Sequence, residues 1–170
     1  MEKLTALVPM KAHSERVPGK NTRSFNGRPL FHWILTTLTQ ARVVDEIVVN
    51  TDSEEIATAA AAEFDATVHD RPERLRGDEV SMNRIIAHDV ERTESDWYLQ
   101  THCTNPLLSP RTVKDAYETF RETAAPSMFG VTAHNKFFWT AEGEPINHSN
   151  DESLTMTQRL TPVYEENSNI

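Results

Sequence analysis

In LVPMKAHSERVPGKN, Leu7 to Asn21, an apolar run stops at Lys11 and gives way to a polar, cationic loop. The run begins at Leu4. Leu4–Met10 shows no polar/apolar alternation, the pattern of a strand covered on both faces in a parallel sheet. The loop carries Lys11, Arg16, Lys20 and Arg23, together with Ser14, Pro18 and Gly19. Backbone amides in such loops form anion nests, and Lys and Arg add charge-assisted hydrogen bonds to phosphate oxygens. A polyphosphate is the natural guest; the bland alternative is a solvated basic loop. Neither the Walker A spacing nor the dinucleotide-binding glycine fingerprint is present.

Outward from this stretch, strand and helix patterns alternate. Residues 29–40 read as a helix with Pro29 in its first turn. EIVVN, residues 46–50, reads as a second strand, and Ser53 as the cap of an alanine-rich helix, Glu54–Phe64. Residues 66–69 form a short third strand, followed by the charged loop DRPERLRGDEV. Ser81 is placed to cap the next helix, whose expected inner face is Met82, Ile85, Ile86 and Val90. A fourth strand covers Trp97–Gln100. The loop THCTNPLLSP leads to a helix with Ser109 as cap and Pro110 first. A fifth strand is expected over residues 127–132. Such alternation predicts an α/β fold with right-handed crossovers and a mainly parallel sheet. Ligands of such sheets sit beyond the carboxyl ends of the strands, which puts residues 11–21, 50–53, 70–80 and 101–109 along one rim. Beyond Thr132, KFFWTAEGEPINH (residues 136–148) reads as a β-hairpin with Gly143 in its turn, and SNI at the end as the start of another strand.

The 170 residues fit one domain of ordinary size. A net charge of −9 argues against non-specific nucleic-acid binding. No apolar run is long enough to span a membrane, and the N-terminus lacks a signal-peptide pattern. A single cysteine, Cys103, excludes an intramolecular disulfide, and it reads as a small buried residue. The simplest compartment is the cytoplasm.

The opening stretch resembles the N-terminal signature of the cytidylyltransferases that activate sialic acids and related 2-keto sugar acids. FNGRPLFHWIL (residues 25–35), EIVVNTDSEEIA (46–57), DRPERLRGDEVSM (70–82) and LQTHCTNPLLSPRTV (99–113) resemble further family motifs in the same order. The similarity is clearest from Leu4 to Phe120. It implies a three-layer, Rossmann-like nucleotidyltransferase fold, with residues 1–132 as nucleotide-binding core and residues 133–170 as a hairpin extension for dimerisation and sugar binding. It implies transfer of CMP from CTP to a 2-keto sugar acid, with magnesium as cofactor and a homodimer as the assembly.

Site roles follow from the resemblance, position by position. Lys11, Ser14, Arg16 and Lys20 fall where the family holds the triphosphate, Lys11 and Lys20 being the catalytic candidates. Asn21 falls at the ribose, and Arg71 near the cytosine. Asp78 and Ser81 fall on the base-reading loop, although Asp78 reads equally well as a plain loop or capping residue. His102, Thr104, Asn105, Gln158 and Arg159 are the candidates for the sugar acid, with Asn167 nearby. Phe137, Phe138 and Trp139 suit either a subunit interface or packing within the chain. Asp52 either caps the second helix or positions a cation.

The chain departs from the family in three respects. Lys11 stands where most members carry arginine, keeping a charge but losing the bidentate fork. THCTNP replaces the usual QPTSP. The family's metal-binding Asp-x-Asp pair has no counterpart, and Asp151-Glu152 does not substitute for it. Family length implies several dozen residues beyond Ile170, so the chain is expected to be truncated and nearly inactive by itself. Two alternatives therefore stand beside the enzyme: a non-catalytic CTP-binding module, and a transferase for another nucleotide.

Overall fold

The computed structural model describes residues 2–14, 16–149, 156–168 and 170. Asp151 and Glu152 lie outside the described residues. The opening apolar run forms β1 (Leu4–Met10), buried along its whole length. It is followed by two short strands, β2 (Ser24–Phe25) and β3 (Arg28–Pro29). They pair antiparallel around Asn26 and Gly27, both with positive φ, the requirement of a tight Asn-Gly hairpin turn. This small hairpin was not expected from the sequence. It leaves Pro29 just outside the helix that follows, α1 (Leu30–Ala41).

Next come β4 (Glu46–Thr51) and α2 (Glu54–Phe64). The Ser53 hydroxyl accepts from the Ile56 amide at 3.3 Å, as expected of a cap. Asp52 does not cap this helix; its Oδ1 accepts from the Ala12 amide at 2.7 Å. The chain continues through β5 (Thr67–Asp70), α3 (Met82–Val90), β6 (Trp97–Gln100) and α4 (Pro110–Arg121). Ser109 caps α4 through the Thr112 amide at 3.1 Å. Ser81 occupies the cap position of α3 but makes no side-chain capping bond. No described helix is long and apolar enough to cross a membrane.

The central sheet is wholly parallel, in the order β5-β4-β1-β6. From β1 the chain steps to β4 and then β5, so right-handed crossovers put α1 and α2 on one face. From β5 it returns across the sheet to β6, which puts α3 on the opposite face. The packing agrees: α1 meets α2 and α4, whereas α3 lies against β1 and β4. The result is a three-layer α/β/α, Rossmann-like fold, the parallel α/β class that the alternating pattern predicts and the architecture that the family resemblance implies. Its core joins Ala6, Val8 and Met10 of β1 to Phe31, Ile34, Leu35 and Leu38 of α1, with Ile56 and Val113 from α2 and α4.

Two expectations fail. On α3, Ile85 is buried as expected, but His88 and Asp89 share the inner face while Met82 and Val90 are exposed; Asn50 and His69, the polar partners of Asp89, override the apolar periodicity. The fifth strand is β7 (Val131–His134), and it does not join the parallel sheet. It pairs antiparallel with β8 (Val163–Glu166).

The chain divides into two compact units, Met1–Met128 with Asn169–Ile170, and Phe129–Ser168. The second unit holds the β7–β8 pair and a turn at residues 139–145, closed by a bridge between Trp139 and Pro145, with Gly143 at positive φ. His148 packs edge-on against both Phe137 and Trp139, with ring centroids at 4.8 and 4.5 Å. Gln158 and Arg159 are exposed in a single 3-10 turn of this unit, Thr157–Arg159.

Candidate functional site

The order β5-β4-β1-β6 reverses at β1, because the chain leaves it first toward β4 and later crosses to its other side at β6. Such a switch point opens a crevice beyond the carboxyl ends of the two strands. The segments leaving β1 and β6 are the cationic loop and residues 101–109.

Hydrogen bonds within the cationic loop shape it. Gly19, at φ 61°, accepts from the Arg23 amide at 2.9 Å, and the Lys20 amide donates to Val17 at 3.1 Å. Asn21 is buried and bridges the two loops. Its Nδ2 donates to the Lys11 carbonyl at 2.8 Å, and its Oδ1 accepts from Cys103 Sγ at 3.0 Å. Burial pushes the Cys103 thiol up to about 11, so it remains a thiol at neutral pH.

A cleft of about 250 Å³ lies in this crevice, lined by Pro9, Lys11, Ser14, Lys20, Asn21, Arg71, Gly77, Asp78, Val80, Met82, Ile85, His102, Cys103 and Thr104. Beside it is a more polar cleft of about 580 Å³, lined by Lys11, Ser14, Arg16, Val17, Lys20, Asp78 and Thr104. The two share Lys11, Ser14, Lys20, Asp78 and Thr104. Of the residues singled out in this unit, Lys11, Ser14, Arg16, Lys20, Asn21, Arg71, Asp78, His102 and Thr104 are thus brought together. Ser81 and Asn105 line neither cleft. Gln158, Arg159 and Asn167 belong to the second unit.

The electrostatics are specific. Lys11 Nζ is ion-paired with Asp78 Oδ1 at the mouth, where both side chains are about one-third exposed (36% and 39%). Arg71 is buried. Its Nε donates to Asn50 Oδ1 at 2.7 Å and its Nη2 to the Asn50 carbonyl at 2.9 Å. Burial pulls the Arg71 pKa down, and the charges of Asp52 and Asp89 offset part of that. His102 sits 3.2 Å from Gln100, Nε2 to Nε2. Burial, and then the Lys20 charge, lower its pKa, so the ring is neutral at pH 7.

Asn50 was missed as a site residue. The available signal was a polar amide closing the apolar run EIVVN. Among the described residues, no group of three or more His, Cys, Asp or Glu is arranged to hold a metal. Asp78, the one carboxylate among the described residues that lines the clefts, is paired with Lys11, and Asp52 is held by Ala12. This donor set does not fit a protein-held magnesium ion.

The arrangement offers two adjoining clefts, one of mixed polarity and one lined by the cations Lys11, Arg16 and Lys20, whose chemistry suits anionic groups. Comparisons with known proteins give the family. The chain is 30% identical to N-acylneuraminate cytidylyltransferase A of Danio rerio over 137 residues, 80% of this chain and 32% of that protein. It is 27% identical to the pseudaminic acid cytidylyltransferase of Campylobacter jejuni over 170 residues, 94% of this chain and 73% of that protein. The chain thus spans about a third of the first relative and about three-quarters of the second. The fold matches CMP:2-keto-3-deoxy-manno-octonic acid synthetase complexed with CTP, at a TM-score of 0.62 and 24% identity, over 76% of this chain and 50% of that one. The model of the family described as Cytidylyltransferase matches residues 5–168. With nearly its whole length inside that match, the chain belongs to the cytidylyltransferase family.

Proposed function

We propose that the protein transfers CMP from CTP to a 2-keto sugar acid, a sialic acid or related nonulosonate. The observation that carries this reading is the pair of clefts at the β1/β6 switch point, one mixed and one cationic, sharing Lys11 and Lys20. The nucleoside occupies the first and the phosphates the second. The anomeric hydroxyl oxygen attacks the α-phosphorus and gives up its proton to water. The bond from the α-phosphorus to the oxygen bridging the β-phosphate breaks, and pyrophosphate leaves. Such transfers depend on alignment and on neutralising charge at the leaving group. Lys11 and Lys20 supply that neutralisation, with Arg16 and Ser14 holding the outer phosphates. Asn21 meets the ribose with the hydrogen-bonding capacity its two bridges leave free. Arg71 forms the wall by the cytosine, and the backbone at Asp78 reads its edge; Ser81 lies outside the cleft lining.

His102 and Thr104, which line the mixed cleft, meet the sugar acid. Residues 1–132 act as the nucleotide part and residues 133–170 as the sugar-site and dimer-forming part of a cytoplasmic homodimer. Family membership suggests magnesium, with donors beyond the residues that line the clefts. Relatives that act on N-acylneuraminate and pseudaminic acid support the substrate class.

The test is pyrophosphate release from CTP with a panel of 2-keto sugar acids, with the CMP-sugar identified by mass. Release that depends on both substrates carries the enzymatic reading and overturns the expectation of a nearly inactive chain; the absence of any CMP-sugar with every acid leaves CTP binding without turnover. A second reading, CTP binding without turnover, is favoured by the Lys11–Asp78 ion pair, which occupies a cation needed at the leaving group.

A further inference from the structure

Beneath the mixed cleft runs a line of buried polar side chains that the proposed chemistry does not use. Asp89, on α3, is fully buried. Its Oδ1 accepts from Asn50 Nδ2 at 2.6 Å and meets His69 Nδ1 at 2.9 Å. Asn50, at the carboxyl end of β4, is also fully buried, and its Oδ1 accepts from Arg71 Nε at 2.7 Å. Arg71 lines the cleft, and its carbonyl accepts from Arg76 Nε at 2.8 Å, next to Gly77 and Asp78 of the same wall.

The chemistry at the two ends fixes the middle. The Asp89 oxygen accepts here, and a guanidinium only donates. Asn50 must therefore turn its NH2 to Asp89 and its oxygen to Arg71; the flipped amide would oppose donor to donor and acceptor to acceptor. The direction of the amide is set by charge, not by packing. The line also explains why α3 buries Asp89 rather than an aliphatic face, since a lone buried carboxylate is costly and this one has two polar partners and a cation one residue removed. Burying the whole set is no route to stability, because apolar replacements of matching shape do as well or better.

We propose that Asp89 is a positioning residue of the nucleotide cleft, acting through Asn50 to set the plane and direction of the Arg71 guanidinium. The inference rests on the cleft being a nucleotide site. Asp89 lines neither cleft. It works by making the Asn50 side chain an acceptor toward Arg71 Nε, which together with the Nη2 bond to the Asn50 carbonyl holds that edge of the guanidinium inward.

Two readouts separate this inference from the nucleotide reading. The first needs no ligand: solvent exchange of the Arg71 Nε–H in the full chain, followed by nitrogen-15 NMR, for the wild type and Asp89→Asn. The Asp89→Asn variant keeps the shape and one acceptor but removes the charge that fixes the amide. The second is a double-mutant cycle of Asp89→Asn and Arg71→Lys, read as CTP affinity by calorimetry, with thermal melts confirming that each variant is folded. The expected result is faster Nε–H exchange in Asp89→Asn. CTP binding should be about tenfold weaker when Asp89→Asn is made with Arg71 intact, and little changed when it is added to Arg71→Lys, the coupling typical of one hydrogen-bonded network. Unchanged exchange overturns the proposal, as does an equal loss of affinity in both backgrounds. If exchange responds as expected but the wild type binds no nucleotide, the nucleotide reading fails and the line is reduced to a structural tie. Should Asp89→Asn fail to fold, Asn50→Ser tests the same link, and an Arg71 Nε–H unchanged in it overturns the proposal equally.

Discussion

Replacing Asp78 by Asn tests what the ion pair at the cleft mouth does. Lys11 Nζ and Asp78 Oδ1 are bonded while each side chain is more than one-third exposed. An exposed pair of this kind stabilises the fold by only about 0–1 kcal/mol, so Asp78→Asn should lower stability by less than about 1 kcal/mol. Its effect on ligand affinity should be larger and of opposite sign. In the free protein the Asp78 carboxylate competes with phosphate for Lys11, and when phosphates arrive it is a like charge beside them. A unit charge about 4 Å away is worth about 1 kcal/mol at the dielectric of water and about 4 kcal/mol at an effective value near 20. Partial exposure and salt place the penalty toward the lower end, about 1–2 kcal/mol, or roughly 5- to 30-fold in Kd. Calorimetric titration of CTP into wild type and Asp78→Asn at two salt concentrations reads this directly. The expected result is tighter binding by the Asp78→Asn variant, with the gap narrowing as salt rises. Binding weakened tenfold would refute the reasoning, because it would mean that the Asp78 carboxylate itself holds the nucleotide or its metal.

Other perturbations test separate parts of the structure. Cys103, buried and with its thiol pushed up to about 11, should resist thiol reagents at pH 8 in the folded protein and react within minutes in denaturant; rapid labelling of the native chain would show the Asn21–Cys103 bridge to be open. His102 should titrate by NMR below its ordinary 6.5, and Lys20→Met should raise the midpoint. Because folding depresses this pKa, its contribution to stability is full above pH 6.5 and falls as pH drops through the folded midpoint. Ser109→Ala removes the α4 cap and should cost about 1 kcal/mol in denaturant melts, without changing CTP affinity. Phe31→Ala empties the largest fully buried position of α1 and should cost about 3–5 kcal/mol by the same assay.

The parallel layers were legible because β1 and β4 are continuous apolar runs and because Ser53 and Ser109 mark helix starts by direct chemistry. The rim loops followed from topology, and the candidates on residues 11–21, with Arg71, Asp78, His102 and Thr104, meet there. The rest was hidden for identifiable reasons. The α3 face was misread because an apolar count ignores a polar partner, and Asn50 with His69 draws Asp89 inward. Asp52 looked like a helix cap, but Ser53 takes that role and frees the carboxylate for the Ala12 amide. The strand at β7 was expected in the parallel sheet, since its composition does not reveal that its partner is β8, far along the chain. The Asn26-Gly27 turn carried a recognisable hairpin signal, but its strands are only two residues long.

The central claim is that the paired clefts take cytidine triphosphate. Calorimetric titration of the chain with CTP, UTP, ATP and GTP, each with magnesium, tests it most directly. The account predicts one site with clear preference for CTP, weakened by Lys20→Ala. Equal binding of all four nucleotides, or no binding to a chain shown to be folded, would contradict it.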